Sequence, residues 1–217
     1  QLQKTRFISL GNPSESSAHL LYYFRQENSL PKDLFTSPME LVGYVQNGSD
    51  IFAKLNYPHI ENYVFIDDLC GSGQQVNEYT KEIVPALRAL HAGSGKSCRI
   101  YYYSAFANAA GLRNVRLLNR FDVVDAVVEF DESFKAFDSS SRFYIDEREP
   151  IDRVLAEKIC RKYGVTMFPK DPLGYNDNQL LVGFGHNTPD NTLPVLWYDE
   201  PNGVAWTPMF RRYPKWY

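Results

Sequence analysis

The sequence predicts a doubly wound α/β fold around a mostly parallel sheet, with an irregular C-terminal segment. Three observations carry that expectation. Strand-like and helix-like stretches alternate along most of the 217 residues, the order that builds a parallel sheet with right-handed crossovers. Val64, Phe65 and Ile66 form a short continuous apolar run, the pattern of a strand buried on both faces. Directly after it, Asp67 and Asp68 lead into Gly71-Ser72-Gly73, a turn that opens a helix. That puts polar chemistry at the carboxyl end of a central strand, where ligands of such sheets bind.

Size and charge narrow the classes. At 44% hydrophobic the chain can bury one sizeable core, read here as a single domain over 1–217. A formal net charge of −3 supplies no basic face, so direct nucleic-acid binding is not expected and any phosphate site must be local. Cys70, Cys98 and Cys160 lie far apart, which argues against a zinc site or a disulfide framework and for the reducing cytoplasm. No stretch has the length and apolarity of a membrane span, and no signal peptide is visible. The chain starts at Gln1 and enters a strand almost at once, so it reads as the C-terminal part of a longer protein.

In order, residues 6–10 predict a first strand and 18–26 a helix with Leu20, Leu21 and Phe24 inward. The loop between them holds Gly11, Asn12, Pro13, Ser14, Glu15, Ser16 and Ser17. It serves either as a second anion loop or as a serine-capped helix start. Residues 28–60, with Pro31, Pro38, Gly43, Gly48 and Pro58, predict short helices and loops that could cover a site. His59 is expected to be packed or solvated rather than catalytic.

The central stretch carries the chemistry. Adjacent carboxylates repel unless a cation or hydroxyl donors neutralise them, and a ribose diol with Mg²⁺ supplies both. Gly71 and Gly73 allow backbone angles closed to other residues, so amides over 71–75 can converge on one anion at a helix N-terminus, with the Ser72 hydroxyl beside them. The plainer reading is a buried strand followed by an acidic helix cap. The stretch resembles the phosphoribosyl diphosphate (PRPP) signature of type I phosphoribosyltransferases: four mostly apolar residues, two acids, two further residues, then a small-Thr/Ser-Gly turn. The resemblance implies that architecture, with Asp67 and Asp68 as the catalytic pair that orients the ribose hydroxyls and reaches Mg²⁺ indirectly through ribose or water. It further implies that Gly71, Ser72, Gly73, Gln74 and Gln75 hold the 5′-phosphate, and that Gly11, Asn12, Ser14, Ser16 and Ser17 form the pyrophosphate loop. The chain departs from the pattern at Gln74-Gln75, where the family continues Gly-Gly-Thr or similar. It also lacks the Lys or Arg common in the early loop.

Beyond the turn, 76–91 predicts one helix kinked at Pro85. Gly93-Ser94-Gly95-Lys96-Ser97 imitates the end of a phosphate-binding P-loop but follows a helix and leads into a strand, the reverse of what that loop requires. Then come a strand at 98–103, a helix at 108–118, a strand at 122–130 and a helix at 151–163 ended by Gly164, with Val154, Leu155 and Ile159 inward. A strand is expected at 179–185, followed by a turn-rich stretch with Asn187, Thr188, Asp190 and Asn191. Its Asn-Thr-Pro-x-Asn-Thr-Leu-Pro-x-x-Trp pattern resembles the C-terminal signature of phosphoribosyltransferase-like proteins found beside bacterial conflict and defence systems. Asn187, Asp190 and Asn191 are candidates for a base pocket, or they only knit the last strand to the sheet. Trp197 is expected in the core, and Arg211, Arg212 and Lys215 in a solvated tail.

These resemblances imply a protein that binds PRPP or a related ribose phosphate or nucleotide with Mg²⁺ and transfers phosphoribosyl groups with release of pyrophosphate. No general base is identifiable. The alternative is a non-catalytic nucleotide-sensing or effector module with a protein partner in a bacterial defence assembly. A third reading keeps the fold as an interaction scaffold.

Overall fold

In the computed structural model β1 (Thr5–Ser9) leads into α1 (Ser16–Glu27) and β2 (Phe35–Thr36), then into β3 (Val42–Asn47) and β4 (Asp50–Leu55). The central strand β5 (Asn62–Cys70) precedes α2 (Gln74–Thr80) and α3 (Ile83–Gly93). β6 (Arg99–Asn108), α4 (Ala109–Leu117) and β7 (Val123–Phe130) follow. The described residues are 1–11, 16–144, 152–185, 187–199, 206–210 and 212. The chain forms two compact units, Gln1–Glu129 and Phe130–Tyr217.

The first unit is the α/β sheet. Strand order is β2-β1-β5-β6-β7, and β1/β2, β1/β5 and β5/β6 are parallel. With β3 and β4 set aside as a separate two-stranded sheet, chain order across the sheet reads 2-1-3-4-5. It reverses between β1 and β5, and the crevice at such a reversal is where ligands of open α/β sheets bind.

Register explains which faces are dry. Arg6 pairs with Tyr63 and Ile8 with Phe65, and Ile8, Tyr63, Phe65, Ile100 and Tyr102 join Val84 and Leu87 of α3 and Leu112 and Val115 of α4 in one buried core. Each such side chain, fully buried, stabilises by roughly 1.5–3 kcal/mol. The opposite face receives α1, whose Phe24 ring lies 5.2 Å from that of Phe7. Helices therefore cover both faces, as the fold class requires.

Several local expectations are corrected. Residues 42–55 are an antiparallel hairpin rather than short helices and loops; Gly48, at φ +62°, makes the tight turn, and Asn-Gly between strand-like runs is a hairpin signal. The single helix expected over 76–91 is two, separated at Lys81 and Glu82. Pro85 kinks nothing, because it lies in the first turn of α3, where a helix does not use its amide donors. His59 is exposed. Among the described residues no helix is long and apolar enough to cross a membrane.

The second unit contains α5 (Arg153–Met167) and the short α6 (Pro194–Trp197) around a small core of Ala136, Phe137, Leu173 and Leu193. Gly164 does not end α5. The helix runs on to Met167, and a Cβ at Gly164 would lie 2.0 Å from the Pro172 carbonyl oxygen, so glycine marks a close approach here. Val154, Leu155 and Ile159, expected inward, are exposed; the buried side of α5 is Gly164 and Met167. No strand forms at 179–185; two isolated bridges, Leu180 to Thr192 and Phe184 to Asn187, stand in its place.

Candidate functional site at the carboxyl ends of β1 and β5

The two carboxyl ends meet because the ladder continues past β1: the Leu10 amide donates to the Ile66 carbonyl at 3.2 Å. Gly11, at φ +98°, then turns the chain. Ser16 is the first residue of α1, and the buried Ser17 donates its hydroxyl to the Leu10 carbonyl. Ser17 thereby ties the first turn of α1 to the residue that follows β1. Asn12 and Ser14 lie outside the described residues.

Asp67 and Asp68 are not past the strand, as the sequence suggested, but within it. Successive side chains of a regular strand point to opposite faces, but the ladder with β6 skips Asp68 and the two carboxyls stay in contact with each other. Asp67 follows Tyr63 and Phe65 inward and is 3% exposed, and Asp68 is half-buried. Asp67 Oδ2 accepts from the Tyr102 hydroxyl at 2.9 Å, and its Oδ1 accepts from the Asp68 amide at 3.0 Å. Burial pushes the Asp67 carboxyl well above the usual carboxylate range, and the Asp68 charge adds to this; the bond from Tyr102 only partly opposes them. Burial likewise raises the Tyr102 hydroxyl and pushes the Cys70 thiol up to about 12. Cys70 contacts the Tyr102 hydroxyl and receives the Gly73 amide. The Cys70 amide donates to Ser104 Oγ at 3.2 Å, and the Ser104 hydroxyl donates to the Phe106 carbonyl at 2.5 Å.

The glycine turn is held from behind by α4. Asn108 Nδ2 donates to the Gly71 carbonyl at 3.4 Å and Asn114 Nδ2 to the Ser72 carbonyl at 3.0 Å. Between them Gly111 lies so close that a Cβ there would stand 2.3 Å from the Gly71 oxygen. Gly73, at φ +80°, caps α2 in the left-handed region that favours glycine. Within the turn the Gln74 amide points at Ser72 Oγ, 3.3 Å away, and the Gln74 side-chain amide donates to Glu78 at 3.1 Å. Gln75 is the second residue of α2.

Tyr102, Ser104, Asn108, Gly111 and Asn114 were not read from the sequence as site residues. Asn108, Gly111 and Asn114 stand three apart and so share one helix face, a signal that was present. Asn114→Ala is expected to cost about 0.5–1.5 kcal/mol, one ordinary hydrogen bond, measured by urea denaturation. An unchanged midpoint would mean that the bond to Ser72 does not hold the turn.

Asn187, Asp190 and Asn191 belong to the second unit, where backbone and side chains knit their own loop. The Asn187 side chain accepts from the Thr188 amide at 2.9 Å. The Asp190 carbonyl accepts from the Tyr175 amide at 2.7 Å, and that of Asn191 from Leu180 at 3.1 Å. The Asn191 side-chain nitrogen is buried without a partner among the described residues. Arg212, expected in a solvated tail, instead donates to the Thr188 carbonyl, pairs with Asp190 at 3.3 Å and lies over the ring of buried Trp197. Arg211 and Lys215 lie outside the described residues.

No curated protein matches the chain. Among solved structures it is similar to orotate phosphoribosyltransferase from Aeropyrum pernix, at 9% identity and TM-score 0.33, over 59% of this chain and 62% of that one. It is also similar to adenine phosphoribosyltransferase from Thermoanaerobacter pseudethanolicus, at 14% identity and TM-score 0.30, over 58% of this chain and 70% of that one. The chain thus spans less than two thirds of the orotate enzyme's length. The family model PRTase-CE matches residues 1–212, and the chain belongs to that family.

Proposed function

We propose that the carboxyl ends of β1 and β5 bind a ribose 5-phosphate compound, PRPP or a nucleotide, with Mg²⁺. The observation that carries this reading is the juxtaposition of a half-buried Asp68 with a glycine turn braced by α4, both at the point where the strand order reverses. Asp68 orients the ribose hydroxyls, and the turn over 71–75 receives the 5′-phosphate, with the Ser72 hydroxyl turning from Gln74 toward it. Family membership supports the ribose-phosphate class.

The metal is compatible with these residues only as a shared ion. Among the described residues no group of three or more His, Cys, Asp or Glu side chains could hold one. Mg²⁺ characteristically combines one or two carboxylates with waters and substrate oxygens, so Asp68 would hold it through water and the ligand would complete the set. Bound there, it supplies charge neutralisation for a departing pyrophosphate. In the transferase reading the bond from ribose C1 to the pyrophosphate oxygen breaks, and a bond from C1 to an acceptor nitrogen forms. The acceptor's proton passes to solvent. Asp68 contributes by fixing the ribose for that exchange.

A sensing module is favoured by a different observation. Ser17 gives its hydroxyl to Leu10, and neither Gly11, Ser16 nor Ser17 offers a cation for pyrophosphate. The experiment is a thermal shift with PRPP and with nucleotides, each with and without Mg²⁺, followed by a pyrophosphate-release assay. Ligand at about 100 times its Kd should stabilise by about 2.7 kcal/mol. Stabilisation without pyrophosphate release selects the sensor, and no stabilisation by any of these compounds rejects the ribose-phosphate site.

A further inference from the structure

We infer that β4 is a self-association edge: two copies of this chain pair antiparallel along β4, centred on Phe52, and join their hairpins into one four-stranded sheet. This goes beyond the ribose-phosphate reading and does not depend on it.

The hairpin is short of cover. β3 and β4 form a sheet of two strands, and such a ribbon is marginal in water unless further strands or a helix pack on it. Its root is held, because Val42 and Leu55 pack on the main core. Beyond the root both faces are open. Tyr44 and Ile51 share one face at 73% and 69% exposure, and Val45 and Phe52 lie exposed on the other. Among the described residues no backbone hydrogen bond leads from 50–54 to any element besides β3. β4 contains no proline and pairs with β3 in unbroken register, so neither of those guards protects its outer edge.

Register and charge name the occupant. The two-residue turn Gly48-Ser49 closes on Asn47 and Asp50. Such a turn makes its flanking residues a hydrogen-bonded pair, and bonded and non-bonded pairs alternate from there. Phe52 and Lys54 therefore bond inward to Val45 and Gly43, while Ile51 and Ala53 turn their N–H and C=O groups outward. A second β4 running antiparallel meets those groups with its own Ala53 and Ile51 when the two Phe52 residues stand opposite each other. In that register Asp50 faces Lys54 at both ends of the contact. Within one chain these two charges face the uncharged Asn47 and Gly43. A slip that keeps the outward groups in register moves the pairing by two residues, and both charge matches are then lost. The same register sets Val45 and Phe52 of each copy in one apolar row across four strands, the cross-strand contact that stabilises a sheet.

The contact is one six-residue edge. Half-association is accordingly expected on the order of 10–100 μM, as for a small interface. The test is sedimentation velocity from about 1 to about 300 μM, which brackets that range, on wild type, Asp50→Lys and Lys54→Glu. Both positions are exposed, and near-ultraviolet circular dichroism checks that the variants fold. Each variant alone is expected to associate roughly tenfold more weakly or worse, because it turns two attractive pairs into two repulsive ones. An equimolar mixture of the two variants should regain wild-type association, since every introduced charge then faces its opposite on the other chain. Amide exchange is the second readout: Ile51 and Ala53 should slow as concentration rises, whereas Phe52 is already protected by the hairpin. A wild type that stays monomeric throughout overturns the inference and leaves the hairpin to a different chain. Association that both single variants retain overturns it too, by placing the contact on another surface. Single variants that are monomeric alone and remain so when mixed rule out this register.

Discussion

Gly111→Val is expected to cost the first unit roughly 3 kcal/mol, the upper part of the range for overpacking, and to displace the glycine turn. A Cβ at this position would stand 2.3 Å from the Gly71 oxygen, 3.0 Å from the Gly71 carbonyl carbon and 3.1 Å from the Cys70 oxygen. All three are backbone atoms, so no side chain can swing aside, and either α4 retreats or the turn moves. Valine adds two methyl groups and restricted χ1 freedom in a helix. Retreat of α4 also lengthens the bonds that Asn108 and Asn114, on the same helix face, make to Gly71 and Ser72. Urea denaturation measures the stability loss, with Gly111→Ala intermediate and Asn114→Ala smaller. A valine variant within about 0.5 kcal/mol of wild type, the usual span for a neutral surface change, would show that the close approach is not a constraint.

That contact illustrates where a sequence is legible and where it is not. The run Val64 to Ile66 announces β5, because a strand covered by helices on both faces needs no polar side, and the alternation of strands and helices announces the sheet around it. Residues 42–55 carried an Asn-Gly signal at Asn47 and Gly48 that the surrounding prolines obscured. Gly164 reads as a helix end because glycine commonly stands there; only the path of Pro172 reveals that the helix continues and glycine serves contact. The apolar residues of α5 read as a core-facing stripe, yet burial is decided by what packs against a helix, and that is not local. At the site, the acids and glycines were legible because they are contiguous. Tyr102 was not. It reaches Asp67 through the register of two strands separated by two helices, and no spacing along the chain encodes that pairing.

Asp67→Asn is expected to raise the stability of the ligand-free protein at neutral pH by roughly 1–4 kcal/mol, as when poorly compensated buried charge is removed, and to lose that advantage in acid. The sign follows from burial. In the folded chain the Asp67 carboxyl titrates well above its ordinary value of 3.8, chiefly because it is desolvated. Below 3.8 both folded and unfolded chains hold the proton, and the aspartate costs nothing. As pH rises the unfolded chain ionises first, so unfolding releases a proton and the wild type loses stability until the folded carboxyl ionises as well. Asparagine does not titrate, so the difference between the two proteins should be small near pH 3 and grow between there and neutrality. His91 complicates absolute curves but not the difference. Burial lowers its value, so its contribution is present above about 6.5 and is lost as pH falls, equally in both proteins. The measurement is chemical denaturation of both proteins at a series of pH values with a chelator present, so that no cation offsets the carboxylate. A difference that is flat with pH would place the Asp67 charge in a compensated setting, and a variant less stable at every pH would mean that the Tyr102 hydroxyl requires an anionic acceptor rather than a carboxyl-shaped one.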